Sequence, residues 1–534
     1  MNRKNLVLPA VAGLLAPVLA ACGASDEGTG RGAAVVVGTT DGIAVSKDAP
    51  APLDPAVGHG TGAWNVLRQT VQTLTRIPVG GGAPVPEAAE SCRFTDRQNE
   101  SYRCELRPGL TFADGTPLTA DDVTYSIERA LALHTPGGPA AALLDTVDTV
   151  EAQSEREVVF HLRTPDATFP YKLTTPVAGI VPRGSYPAKS ARTGFRVDGS
   201  GPYTMKAQTD RNRAVRISLT RNPRYKGSLK IRNERVELNL FGAAGAMEKA
   251  LRDRRIDLMT RTMTPAQARR LREEPADGVV LTEMPGLGIH YLGFDTGDRT
   301  AGNRAVRQAM AQVVDRDEIT ATVYGGTADP LYSLIPSGIA AHTNSFHDRY
   351  GEPSPAKAAA LLRSAHVRTP VKLTLNYPTG HSGAATADEF ALLKKQLDRT
   401  GLFDVTLRGT AWDTFRPAQL RGEYAVYGMD RFPDFPDPDN FTAPFLGRDN
   451  VLGSEYTSVP ARRTLIPQSR READRTATTT AFRRIQSIVA RDVPVLPIWQ
   501  GKEYAAARQG LSGVERAVNP STGLRLGELS RDPR

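Results

Sequence analysis

Cysteine is scarce in this chain: three residues in 534, at positions 22, 92 and 104. No histidine lies near Cys92 or Cys104 in sequence, so a metal site built on that pair lacks its usual partners. The eight histidines (59, 134, 161, 290, 342, 347, 366 and 381) are scattered, and none forms the His-x-x-x-His pair of a zinc hydrolase. There is no Gly-x-Ser-x-Gly nucleophile elbow and no phosphate-cradling P-loop. Paired acids of the kind glycosidases use occur in any sequence of this size and specify nothing. These absences argue against an enzyme, and no cofactor or metal is expected. Internal repeats and long low-complexity runs are missing too. Beyond the first twenty residues no apolar run approaches the eighteen needed to span a bilayer. The formal charge of +9 is spread along the chain without a compact basic stripe interleaved with aromatics, which speaks against nucleic acid. Diffuse positive charge suits a protein held beside an anionic membrane.

What is present is an ordinary globular composition, 40% hydrophobic and 23% charged, long enough to bury two or three cores. Arg3 and Lys4 precede an uncharged, mostly apolar stretch from Leu6 to Leu19. The following Leu19-Ala20-Ala21-Cys22 resembles a bacterial lipobox, with small residues before the cut and a thiol to receive diacylglycerol. Residues 1–21 are therefore expected to be a signal peptide, Cys22 a lipidation site, and 22–32 a small, polar, flexible tether. Cys92 and Cys104 are symmetric about Gln98 and flank a polar turn, so they can face each other across a hairpin and cross-link outside the cytoplasm.

Between Tyr102 and Leu131 the pattern reads as a strand ending at Leu106, a turn on Asp114 and Gly115, and a helix capped by Thr119. Val123, Ile127 and Leu131 then recur every fourth residue as one apolar stripe. The run "LRPGLTFADGTPLTADDVTYSIERAL" resembles the peptide and nickel class, family 5, of extracellular solute-binding proteins of ABC transporters. Further segments match that family in order and spacing: "APLDPA" (51–56), "PVPEAAESCRF" (84–94), "GSGPY" (199–203), "RNPRY" (221–225), "ALRDRRIDL" (250–258), "YLGFDT" (291–296) and "DVPVLPIW" (492–499). Between the last two, "VRQAMAQVVDRDEITATVYGG" (306–326) adds two helices, the second capped by Asp315 and closed by Gly325 and Gly326. An apolar helical spacing is also read from Trp64 to Leu74. The resemblance implies an α/β fold of the two-lobed periplasmic-binding-protein type, with hinge strands and an additional inserted domain. Carried over, lobe one comprises 33–62, 186–288 and 498–534, the inserted domain 63–185, and lobe two 289–497.

The densest candidate site is "PDFPDPDNF" (433–441), whose prolines at 433, 436 and 438 make a stiff loop. The resemblance places it on the cleft between lobes and gives Asp434 the position that pairs with a ligand's α-ammonium. A buried ammonium needs such a fixed carboxylate to offset its desolvation. Asp437 and Asp439 read as turn caps, and the prolines together with the missing closing Glu argue against a calcium loop. Where many members place Trp three residues before that Asp, this chain has Arg431. Either the adjacent Phe432 takes over the apolar contact, or Arg431 meets a carboxylate or planar group on the ligand, or it folds out to solvent. Phe435 in the same loop and Trp412 in "GTAWDTF" complete the ligand-binding candidates. The function implied is a lipid-anchored, monomeric receptor that closes on a peptide or peptide-like solute for an ABC permease with its ATPases. The alternatives are a sensory lipoprotein, a binder of another amine-bearing or oligosaccharide ligand, and a lipid-anchored hydrolase on a similar scaffold.

Overall fold

The computed structural model describes residues 34–531 apart from 48, 134–142, 262, 275–277, 448–455 and 522. The expected signal peptide (1–21), Cys22 and the expected tether lie outside the described residues.

Two long antiparallel strands, Val279–Phe294 and Val495–Arg508, run side by side through the centre of the molecule. On one flank they continue into Leu258–Thr260, Val35–Thr39, Arg235–Leu240, Arg213–Arg221 and Tyr203–Asp210. On the other they continue into Val426–Arg431, Val371–Thr379 and Phe403–Ala411. One hydrogen-bonded path therefore passes through both lobes. The apolar cores are separate: one large cluster gathers residues from Val35 to Leu258 with Ala505 to Leu529, and a second gathers Leu287 to Ile498. The central strands change cores near residue 287, where the pairing register shifts between Pro285 and Ile289. Gly286 faces the Gly501 carbonyl so closely that a Cβ would stand 2.3 Å from it, so this crossing tolerates no side chain.

A second, four-stranded sheet carries the Cys pair: Ala89–Phe94, Ser101–Leu106, Glu157–Leu162 and Val147–Ala152, in that spatial order. Cys92 and Cys104 are directly opposed on its first two strands and are joined by a disulfide. Gly115 turns at φ 95°, and the Thr119 amide donates to Asp122 at 2.9 Å, opening the helix Ala120–Ala132. Val123 and Ile127 of that helix face the core. Residues of this sheet share the first cluster with the strands around Val35, so the 63–185 segment layers onto a common core.

Two distant motifs meet beneath it. Arg129 of the helix clasps Asp54 of "APLDPA" through two hydrogen bonds of 2.8 and 2.5 Å, both side chains wholly enclosed. Such a pair is strongly destabilising to break because the survivor is left buried and unpaired. The first helix is shorter than its apolar spacing predicts, covering Thr61–Thr70. Gly201 caps the Thr70 carbonyl at 3.0 Å, and Gly199 and Gly201 leave no room for a Cβ against Thr70. Val71 consequently turns extended.

Candidate functional site

In lobe two the strands Val371–Thr379, Phe403–Ala411 and Val426–Arg431 are parallel, so their carboxyl ends line up on one edge. Ligands of open α/β sheets bind outside such ends. His381, Trp412 and Arg431 follow or close these three strands in turn, and the proline-rich loop continues from Arg431.

Between that proline-rich loop and lobe one lies a cavity of about 510 Å³, within the range of small-molecule sites. Lobe one lines it with Arg68, Gln72, Arg76, Glu87 and Arg525 among others, and the hinge with Pro285 and Leu287. Lobe two contributes residues 337–340, Asp434, residues 436–438 and Arg475. Of the five ligand candidates read from the sequence, Asp434 alone is on this wall.

Arg431 does not fold out to solvent and does not face the cavity. Its guanidinium donates to Asp434 Oδ2 at 2.7 Å and to Asn440 Oδ1 at 2.8 Å. Asn440 Nδ2 also donates to Asp434 Oδ2, at 3.2 Å, and the Asp434 amide donates to Asn440 Oδ1 at 2.9 Å. One carboxylate oxygen is thereby fixed, while Oδ1 has no hydrogen-bond donor among the described residues. Burial would raise the Asp434 carboxyl, but the Arg431 charge and these hydrogen bonds outweigh it, and the group titrates below its usual range. His59, from lobe one, lies close enough to feel the charges of both Asp434 and Arg431; burial dominates and lowers it.

The other aromatic candidates are placed elsewhere. Phe432 lies over the hinge, its ring against Gly288 and beneath the Arg261 guanidinium at 5.5 Å. Phe435, expected to contact ligand, is 2% exposed and packs on Tyr171 within the core of lobe one. Its ring crosses the lobe boundary to bury itself against Tyr171, which takes it off the cavity wall. Trp412 stacks face to face on His381 at 3.4 Å, and the burial this entails pushes the imidazole down to about 4.

Asp437 and Asp439 do more than cap turns. Asp437 does accept the Asp439 amide at 2.8 Å, but it also takes Arg475 through two bonds of 2.7 and 2.8 Å. Asp439 takes Arg470 at 3.1 and 2.9 Å. The backbone around these arginines reaches lobe one, where the Ala167 amide donates to the Arg470 carbonyl at 2.7 Å and Asn99 to that of Arg471 at 2.8 Å. Sequence reasoning missed Arg470 and Arg475, which lie 31 and 38 positions from their partners.

A model of the bacterial extracellular solute-binding proteins, family 5, matches residues 83–452. The chain belongs to that family. Family 5 is a family of solute-binding proteins, not of enzymes. Relatives span almost its full length. The oligopeptide-binding protein OppA of Bacillus subtilis is 24% identical over 95% of this chain and 95% of its own. The probable D,D-dipeptide-binding protein DdpA of Escherichia coli is 26% identical over 89% and 91%. Among solved structures, Helicobacter pylori DppA with a bound peptide, STSA, superposes with a TM-score of 0.78 at 19% identity, covering 94% of this chain and 98% of that one. The family 5 fold is thus shared through both lobes. No helix among the described residues is long and apolar enough to cross a membrane.

Proposed function

We propose that this family 5 protein is the solute receptor of an ABC importer and that it captures short peptides or peptide-like solutes by closure of its lobes. The reading rests most on Asp434: a carboxylate on the cavity wall with one oxygen anchored and the other bare. An α-ammonium entering from the cleft would meet Oδ1 already oriented, so little ordering entropy is spent on the contact. The relatives OppA and DdpA, an oligopeptide-binding and a probable D,D-dipeptide-binding protein, support the same ligand class. Lobe one is taken as 33–62, 186–288 and 498–534 with 63–185 inserted, and lobe two as 289–497. Ligand touching both lobes favours the closed form, and a permease would recognise that form. Backbone amides and charged termini give a peptide contacts that do not depend on its side chains. Cys22 is proposed as the lipid anchor that keeps the receptor, as a monomer, at the extracytoplasmic membrane face beside its permease.

The test is native mass spectrometry of the purified protein for co-purified ligand, followed by thermal shift with free-amine peptides. Asp434→Asn should abolish the shift that wild type shows. Equal shifts in both proteins would remove Asp434 from the site.

A further inference from the structure

The charges around the cavity do not balance evenly between its walls. Each acid on its lining already has a cation or a full set of donors. Glu87 accepts from Tyr225 and from the amide and hydroxyl of Ser228, and forms an ion pair with Arg76 at 3.4 Å. Asp437 is held by Arg475, Asp434 by Arg431, and Glu528 by Arg516 at 3.2 Å. Three cations on the lining stand outside these pairs: Lys230 is exposed, Arg525 is spent on the Ile77 and Pro78 carbonyls at 3.3 and 3.0 Å, and the third is Arg68. Arg68, in the last turn of the helix Thr61–Thr70, has no carboxylate at ion-pair distance and no hydrogen-bond acceptor among the described residues.

What holds Arg68 in place leaves its donors unspent. Its guanidinium lies over the Trp64 ring at 5.3 Å, one helical turn earlier. Trp64 is itself fixed by its indole N–H donating to the Gly58 carbonyl at 3.0 Å. The helix end favours a cation there. A ring face satisfies the charge in part but accepts none of the five N–H groups. Burial draws this arginine down to about 10, Arg525 adding to the effect and Asp434 opposing it, so it remains charged at neutral pH yet uncompensated.

We propose that Arg68 is the anchor for a carboxylate of the ligand. This inference rests on the peptide reading above and names the other end of the same ligand: ammonium on the lobe-two wall at Asp434, carboxylate on the lobe-one wall at Arg68. Because the two anchors belong to different lobes, a zwitterion bridges the cleft, whereas a ligand with one terminus blocked engages one wall. A planar guanidinium with free parallel donors matches a carboxylate in bidentate geometry.

The experiment is calorimetric titration of the purified protein with trialanine, trialanine amide and N-acetyl-trialanine, using wild type, Arg68→Gln and Arg68→Lys. Wild type should lose about 10- to 100-fold on amidation, the range of one charge-assisted contact. Arg68→Gln should bind acid and amide alike, and Arg68→Lys should recover part of the preference. A wild type indifferent to amidation, or an Arg68→Gln variant that keeps the preference, overturns the assignment; the first comparison needs no variant to fold. The acetylated peptide reports separately on Asp434: indifference to acetylation with a retained carboxylate preference removes the ammonium reading and leaves Arg68 standing. If none of the three binds, the peptide reading falls, and succinate and spermidine decide the sign of the site. Succinate binding lost in Arg68→Gln upholds the anchor; binding of spermidine, or of neither, overturns it.

Discussion

Asp434 and Asp437 stand three positions apart in one stiff loop, yet the structure treats them differently. Asp437 has both oxygens locked by Arg475 and is 1% exposed, so nothing remains for a ligand to take. Asp434 has one oxygen shared by Arg431 and Asn440 and the other bare on the cavity wall. Residue type and spacing are the same; the number of donors already committed separates a brace from a binding group. Glu503, on the long strand beside the hinge, completes the series. The arginine near it, Arg261, is spent on Asp41 through bonds of 3.1 Å to both oxygens, and burial pushes Glu503 up to about 7.

The comparison can be broken in several ways. Asp437→Ala should cost the most, about 3–5 kcal/mol of stability in urea melts, because Arg475 would be left enclosed without its partner. A loss under about 1 kcal/mol would class the pair with surface bridges. Asp434→Asn should do the reverse, leaving the unfolding free energy within about 1 kcal/mol while weakening free-amine peptides by about 100-fold. Glu503→Gln should stabilise the protein by on the order of 2 kcal/mol at pH 8. Its folded value is raised, so the unfolded chain loses the proton first; wild-type stability falls as pH climbs from the ordinary carboxylate range to about 7, then levels. The gain from Gln should therefore vanish below about pH 4, and a gain that is constant with pH would refute the burial account. Arg431→Ala should have the smallest effect, raising free-amine affinity by about three- to tenfold as Asp434 sheds its internal cation. A fall in affinity would mean that Arg431 serves chiefly to aim the carboxylate.

Short-range chemistry was legible in the sequence. The Gly115 turn, the Thr119 and Asp122 cap, and the opposed Cys92 and Cys104 depend on neighbours within a dozen positions, and the structure has all three. The loop holding Asp434 was legible as well, through its prolines and its resemblance to family 5. What could not be read were meetings arranged by the tertiary fold: Arg129 with Asp54, Arg475 with Asp437, and Phe435 crossing into the other lobe's core. Periodicity assigns a residue to a face but cannot say which distant partner that face will find. Arg431 is an intermediate case. It lies only three positions from Asp434, but outside a helix that spacing implies no contact, so the pairing was overlooked. Arg68 leaves only a faint signal in the sequence, an aromatic one turn earlier at Trp64.

The break in register between Pro285 and Ile289 has a mechanical meaning. There the strand trades ladder partners for others: the Leu287 amide donates to the Pro520 carbonyl at 2.8 Å, and the Gly286 carbonyl accepts from Gln500 at 2.7 Å. Apart from a second slip between His290 and Tyr291 close by, rotation elsewhere along the central pair would strain rungs that share load. At this point torque meets no continuous ladder, and stiffness drops locally without the sheet ending. Bending concentrated at residues 285–291 would make the central pair a flexure of the kind machined into a single piece of metal, with no separate joint to wear or to unfold.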